Sequence, residues 1–184
     1  KKNLPFIRGK KNMDLENAFA KCIRNGDVSG IKNIGIDESV VNNQFICPTP
    51  IPQIQGQFNL PPLNYPTPIV YAIACRQTEV LENLLSIGAD LNMYYQNWLP
   101  IHFAIAARSP EMVNAILSFD AEQANKPTEK TRNFPLHMAV SSGELQTVLL
   151  LLSYNANVNV FNDNGISPIW PACYSRNEKI LEAL

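Results

Sequence analysis

The sequence predicts an all-α solenoid, in which pairs of antiparallel helices repeat along the chain. Four segments align with one another, and each carries a proline at its second position. These prolines are 32, 35 and 33 residues apart (68 to 100, 100 to 135 and 135 to 168), a spacing typical of helical repeat proteins. An alanine follows four positions after each proline, where a small side chain lets neighbouring helices approach closely. These alanines are Ala72, Ala104, Ala139 and Ala172.

The recurring proline predicts the start of a first helix in each repeat. Proline suits the first helical position because the amide at that position needs no acceptor within the helix. Thr67 and Ser167 precede their prolines, and we expect their hydroxyl groups to cap the helices. Leu99 and Phe134 offer no such oxygen, so we expect the histidine two residues after each proline to satisfy those two helix starts.

A second helix and an extended connection complete each repeat. Apolar residues follow at the spacing of one helical face: Val80, Leu81, Leu84 and Leu85; Met112, Val113, Ile116 and Leu117; Val148, Leu151 and Leu152. The segments 88–92 and 155–159 then place Gly and Asn where a helix ends, because these residues tolerate left-handed backbone. Each repeat is therefore predicted to be a helix, a turn, a second helix and a hairpin-like finger.

These motifs resemble the ankyrin repeat. Its T-P-L-H-x-A opening is matched by residues 100–104 and 135–139, and its later pattern by residues 79–92. The resemblance implies an ankyrin-repeat helical solenoid with repeats at 67–98, 99–133 and 134–166 and a truncated repeat at 167–184. The sequence departs from the pattern in two ways. Val70 and Trp170 replace the histidine, and Arg76, Arg108 and Arg176 replace the usual glycine between the helices.

Upstream of residue 67 we predict three further segments of the same continuous solenoid domain. Residues 1–12 form a basic tail, which is either solvated or a nuclear-import or phosphate-contacting patch. Residues 13–42 align as a diverged N-terminal repeat, with Cys22 in the small-residue position. Residues 43–66 form a proline-rich insertion, which either lies along the solenoid edge through its apolar residues or recruits a partner domain.

Composition excludes several classes of function. The net charge of −1 and the 17% of charged residues give no reason to expect nucleic acid as a partner. No apolar run is long enough for a membrane span. The four cysteines form no CxxC pair, and we expect buried thiols in a cytoplasmic or nuclear protein.

The sequence offers no catalytic constellation. The two histidines, His102 and His137, recur with the structural period, so we interpret them as structural. No zinc-ligand spacing, catalytic triad or phosphate-binding loop is present. We therefore expect neither an enzyme nor a cofactor, a metal site or a small-molecule substrate.

The resemblance implies a contact surface made of finger residues before each proline and one residue six positions after it. It would comprise Tyr95, Gln96, Trp98 and Ala106; Lys130, Thr131, Asn133 and Ser141; Asp163, Asn164, Ile166 and Tyr174. The first finger also holds a cluster of large side chains in a segment that should face solvent, namely Met93, Tyr94, Tyr95 and Trp98. Exposed aromatic clusters favour binding, although these rings would also be explained by packing on the proline-rich insertion.

The predicted function is that of a protein–protein interaction module or scaffold, acting as a monomer on a protein partner through its finger surface. Two alternatives stay open. The repeats serve as the targeting module of a larger enzyme or channel, or they are the substrate of an asparaginyl hydroxylase, since residues 90–92 resemble sites that such enzymes modify in ankyrin repeats.

Overall fold

The computed structural model describes residues 10–45 and 63–184, and within these ranges the regular secondary structure is helical apart from one isolated bridge between Tyr95 and Trp98. A short 3-10 helix covers Ala121–Asn125. The α-helices are α1 (Lys10–Asn25), α2 (Val28–Ile34), α3 (Glu38–Val41), α4 (Pro68–Ala74), α5 (Thr78–Ser86), α6 (Pro100–Ala106), α7 (Pro110–Phe119), α8 (Pro135–Ser142), α9 (Leu145–Ser153), α10 (Ile169–Ser175) and α11 (Glu178–Ala183). The predicted all-α class is confirmed for these ranges.

The described residues fall into two compact units. Residues 10–45 and 63–90 form the N-terminal unit, in which α1 packs against α2 and α4, and α5 packs against α4 and α2. Residues 91–184 form the C-terminal unit, in which α8 packs between α6 and α10, and α9 packs against α7 and α11. First helices therefore contact first helices and second helices contact second helices, which is the packing of stacked helix pairs.

The predicted core residues lie inside. The four alanines after the recurring prolines are all fully buried. The apolar residues of the second helices are buried as well, except Leu152, which is half-buried. The close approach of neighbouring first helices thus depends on the alanine methyl group, which a larger side chain would exceed.

The helix starts use the histidines and not the hydroxyl groups. His102 Nδ1 accepts a hydrogen bond from the Leu99 amide at 3.1 Å, and His137 Nδ1 accepts one from the Phe134 amide at 3.2 Å. The expected role of these histidines is confirmed. The expected hydroxyl caps are wrong: the Thr67 side chain is buried without accepting a bond from α4, and α10 begins only at Ile169, after a proline.

The turns between paired helices require left-handed backbone. Gly143 adopts φ of 72°, and Arg76, Arg108 and Arg176 adopt 57°, 52° and 54° at the corresponding positions. A side chain with a Cβ atom is strained in this region. The Arg108 guanidinium makes one compensating contact, because it donates to the Ser142 carbonyl of the next repeat at 2.9 Å.

An asparagine side chain holds the start of a finger in each unit. In the N-terminal unit, Asn42 donates to the Gly88 carbonyl at 3.0 Å and accepts from the Asp90 amide at 2.7 Å. In the C-terminal unit, Asn125 donates to the Asn155 carbonyl at 3.0 Å and accepts from the Asn157 amide at 2.8 Å. We call this paired contact the asparagine clamp.

Some predicted segments lie partly outside the described residues. Of the predicted basic tail, residues 1–9 are outside, and α1 already begins at Lys10. Of the predicted proline-rich insertion, residues 46–62 are outside, and Cys47 with them. The expectation of buried thiols is wrong for the others: Cys22 and Cys75 are half-buried, and Cys173 is exposed because nothing described packs over that side of α10. No helix in residues 10–45 or 63–184 has the length and apolar character to cross a membrane.

Candidate functional site

The first finger of the C-terminal unit ends in a tight hairpin. The Tyr95 amide donates to the Trp98 carbonyl at 2.9 Å, and the Trp98 amide donates to the Tyr95 carbonyl at 3.0 Å. The two residues between them, Gln96 and Asn97, have φ of 49° and 73°. Two consecutive positive φ angles define the turn whose twist suits a two-residue hairpin, so the predicted hairpin-like finger is present.

Neighbouring fingers are joined through their backbones. The Glu129 amide of the second finger donates to the Asn97 carbonyl of the first at 2.9 Å, and the Asp163 amide of the third donates to the Thr131 carbonyl of the second at 3.2 Å. Each finger tip is therefore fixed beside the next, and the tips present a preorganised row of side chains.

The aromatic cluster of the first finger is less exposed than expected. Tyr95 is only 4% exposed because its ring packs on Phe103, with centroids 6.0 Å apart. Trp98 is half-buried and lies 5.4 Å from the same phenylalanine ring. The expectation that the whole cluster faces solvent is therefore wrong for Tyr95. Tyr94 is exposed at 43%, and its hydroxyl group donates to the Pro127 carbonyl at 3.0 Å.

Among the remaining predicted contact residues, Ala106 is buried at 1% exposure, because its methyl group is enclosed where α6 packs against α7 and α8. Its side chain does not reach a partner surface, so this expectation also fails. The exposed ones are Lys130, Thr131, Asp163, Asn164 and Tyr174, and the half-buried ones are Met93, Gln96, Asn133, Ser141 and Ile166. Whether these side chains bind a partner stays a prediction.

A groove of about 280 Å³ runs between the third finger and helix α10 in the C-terminal unit. It brings together four of the predicted contact residues, which come from two fingers and two first helices. The described residues that line it are Asn133, His137, Ser141, Asn162, Ile166, Trp170, Pro171, Tyr174 and Ser175. We call it the α10 groove.

Two exposed aromatic rings form one wall of the α10 groove. Trp170 and Tyr174 are 53% and 80% exposed, and their rings stack with centroids 5.3 Å apart and an interplanar angle of 10°. Tyr174 was predicted to belong to the contact surface, but Trp170, which stands where two other repeats carry histidine, was not. The available signal was the spacing of four residues, which puts both rings on one face of a helix.

The floor of the α10 groove is an amide and hydroxyl network. Asn162 donates to the Asn133 side-chain oxygen at 2.8 Å, and Asn133 donates to the Thr131 hydroxyl at 3.1 Å. Beside them, His137 Nε2 lies 2.8 Å from the Ile166 carbonyl. Burial lowers the pKa of His137, and the Ile166 carbonyl opposes that change. The imidazole is therefore neutral near pH 7, and none of the described lining residues carries a charge.

Comparison with known proteins identifies the repeat. A family model described as ankyrin repeats in three copies matches residues 106–184. That range contains α7 to α11 and the α10 groove. Residues 106–184 carry ankyrin repeats.

Two curated ankyrin repeat proteins are similar to this chain. A putative ankyrin repeat protein of fowlpox virus is 30% identical over 104 residues, which is 55% of this chain and 17% of the viral protein. A putative ankyrin repeat protein of Borreliella burgdorferi is 36% identical over 50 residues, which is 27% of this chain and 23% of that protein. The chain thus spans about a fifth of the length of these relatives.

The two histidines make the same contact at equivalent helix starts. His102 is completely buried, and burial lowers its pKa to about 3 against the opposing effect of the backbone groups of Asn133, Lys126 and Leu99. Residues 10–45 and 63–184 contain no cluster of His, Cys, Asp or Glu side chains that would hold a metal ion. The histidines act on the backbone at helix starts, and ankyrin repeats are generally non-catalytic.

Asn92, the predicted hydroxylation position, belongs to a polar cluster at the base of the first finger. Its side-chain oxygen accepts hydrogen bonds from the buried Gln123 at 3.1 Å and from Lys126 at 2.5 Å. Gln123 and Lys126 also contact Asp120, at 2.9 and 3.4 Å, and the Gln123 contact is the largest cause of the lowered pKa of that carboxyl group. This arrangement ties the finger to the 3-10 helix.

Proposed function

We propose that this chain is a protein–protein interaction module that binds its partner at the α10 groove and the adjoining tips of the second and third fingers. Ankyrin repeats are generally protein–protein interaction modules. The observation that carries the proposal is the convergence of Asn133, Ser141, Ile166 and Tyr174 on one groove. These residues were expected to contact a partner on the basis of their positions in the repeat.

The physical character of the groove supports this role. Tyrosine and tryptophan supply large contact areas with few rotatable bonds, and they dominate the energetics of many interfaces. Tyr174 and Trp170 are already stacked on each other before a partner arrives. The finger tips beside them are held by backbone hydrogen bonds, so binding requires little further ordering of the chain.

Site-specific photo-crosslinking tests the proposal. A photo-reactive phenylalanine analogue placed at Tyr174 or Ser141 is expected to form a covalent adduct with one partner protein, identified by mass spectrometry. The control is the same analogue at Leu149, which is 45% exposed on α9 and does not line the groove. Equal adduct yields at all three positions, or an adduct only at Leu149, would contradict the assignment.

The length of the relatives supports a second role for the same surface, as the targeting module of a longer protein. The chain covers only 17% and 23% of the two curated relatives. A fluorescent reporter fused to the chain is then expected to concentrate wherever the partner does, and Tyr174→Ala is expected to disperse it. A reporter distribution that does not change with Tyr174→Ala would argue against targeting through the groove.

A further inference from the structure

The two rings of the aromatic wall of the α10 groove are stacked on each other and largely exposed. Trp170 and Tyr174 lie four residues apart on α10, so one helical turn sets their spacing. Their planes are nearly parallel, at 10°, while 53% and 80% of the two side chains stay exposed. A ligand therefore meets fixed ring faces and edges, together with the indole N–H and phenol O–H groups as hydrogen-bond donors.

The chemistry of the lining selects against a charged ligand. None of the described residues that line the groove is charged, because the polar ones are amides, hydroxyl groups and a buried, neutral imidazole. A charged side chain that entered the groove would lose hydration without gaining an opposite charge, which is unfavourable. An acidic, basic or phosphorylated peptide is a poor match on these grounds, and an uncharged segment is a good one.

The size of the groove favours a short stretch of extended chain. Its volume of about 280 Å³ lies just below the roughly 300–1,000 Å³ found for ligand sites. A proline-rich segment in the polyproline II conformation presents apolar proline rings, and its carbonyl groups make no hydrogen bonds within the segment. Aromatic grooves bind such segments by packing proline rings on aromatic faces and donating to those carbonyl groups.

We propose that the α10 groove binds an uncharged, proline-rich segment of a partner protein in the polyproline II conformation, with Trp170 and Tyr174 as the packing surface. This inference rests on the proposed function, because it names the kind of segment that the interaction module takes. It predicts that Trp170 and Tyr174 act together, whereas Trp98, which packs on Phe103, does not respond to the ligand.

The probe is a capped decaproline peptide titrated into the 15N-labelled full chain. The chain has two tryptophans, so its two indole N–H signals are easily followed by NMR, and Trp170→Phe assigns them. We expect the Trp170 signal to shift saturably and the Trp98 signal to stay in place. A capped peptide of alternating Gly and Ser, equally uncharged, is the control and is expected to cause no shift. Tyr174→Ala is expected to weaken decaproline binding about tenfold.

Three results would overturn the inference. The Trp170 signal could shift equally with the Gly-Ser peptide, or it could show no saturable shift with decaproline. It could also shift with protein concentration when no peptide is present. The last would mean that a second copy of the chain covers the face. A photo-crosslinked partner at Tyr174 combined with no decaproline binding would leave the interaction module in place and remove only the proline preference.

Discussion

The two units of the chain hold their fingers in the same way but begin their first helices differently. Asn42 in the N-terminal unit and Asn125 in the C-terminal unit make the same paired contact with a finger backbone. The position two residues after the first-helix proline is Val70 in the N-terminal unit and His102 in the C-terminal unit. Both side chains are completely buried.

The difference separates two kinds of structural contact. The asparagine clamp joins neutral groups, so its strength does not depend on proton concentration near neutral pH. The histidine contact exists only while the imidazole is neutral, because a protonated Nδ1 cannot accept a hydrogen bond from the backbone amide. The N-terminal unit has a valine at this position, and the C-terminal unit therefore carries the expected sensitivity to acid.

The largest expected effect is the loss of stability of the C-terminal unit in acid. Burial holds the pKa of His102 at about 3, below the usual histidine value of 6.5, and lowers the pKa of His137 in the same direction. Below pH ~6.5 the unfolded chain binds protons that the folded chain does not, so stability falls as pH falls, by about 1.4 kcal/mol per pH unit for His102 between the pKa values of the unfolded and folded chains. For His102 alone this amounts to roughly 2 kcal/mol between pH 7 and pH 5. Urea unfolding at a series of pH values measures it.

An exchange of residues between the two units tests the cause. His102→Val is expected to remove most of this pH dependence and to cost roughly 1–3 kcal/mol at pH 7, because the Leu99 amide loses its acceptor. Val70→His places the titratable group in the N-terminal unit. If the pH dependence of the His102→Val variant equals that of the original chain, the histidine is not its source.

A smaller effect is expected from breaking the asparagine clamp. Asn125→Ala and Asn42→Ala each remove two hydrogen bonds to the finger backbone. Since Asn125 is exposed and Asn42 is half-buried, water replaces part of what is lost. We expect each variant to lose about 1–2 kcal/mol of unfolding free energy, measured by urea denaturation at pH 7.

Matched controls exist in both units. Asn164→Ala in the C-terminal unit and Asn33→Ala in α2 remove exposed asparagines that make no clamp. Both are expected to change stability by less than about 0.5 kcal/mol. If Asn42→Ala behaved like Asn33→Ala while Asn125→Ala did not, the two clamps would not be equivalent.

The period of the sequence predicted the helices, the buried alanines and the histidine contacts, because each recurs at a fixed place in the repeat. The asparagine clamp was not predicted. The sequences around Asn42 and Asn125 differ, and each asparagine contacts a finger that lies far from it in the sequence. The prediction failed at Tyr95, because an aromatic residue in a finger was expected to face solvent, whereas its ring packs on Phe103.

The α10 groove could be predicted only in part from the sequence. The positions of Asn133, Ser141, Ile166 and Tyr174 follow from the repeat, and the structure brings them to one groove. Trp170 was regarded only as a departure from the histidine pattern. Its exposure depends on what packs over the last described repeat, and a pattern within one repeat contains no information on that.

The smallest expected effect concerns the turns, where the repeats of the C-terminal unit differ among themselves. Arg176 adopts φ of 54° and is exposed, so Arg176→Gly is expected to stabilise the chain by up to about 1 kcal/mol through relief of backbone strain. Arg108→Gly relieves similar strain but loses the 2.9 Å bond to the Ser142 carbonyl, and a net change near zero is expected.

The reciprocal substitution, Gly143→Arg, isolates the backbone cost. A Cβ atom at Gly143 would meet only the Asn177 side chain, at 4.0 Å, so there is room for a side chain and the φ of 72° supplies the penalty. We expect a loss of about 1 kcal/mol, measured by urea denaturation beside the two arginine variants. Should Arg176→Gly destabilise the chain as much as Gly143→Arg does, the exposed arginine must make a stabilising contact that outweighs its strain, and the distinction drawn between Arg108 and Arg176 would be lost.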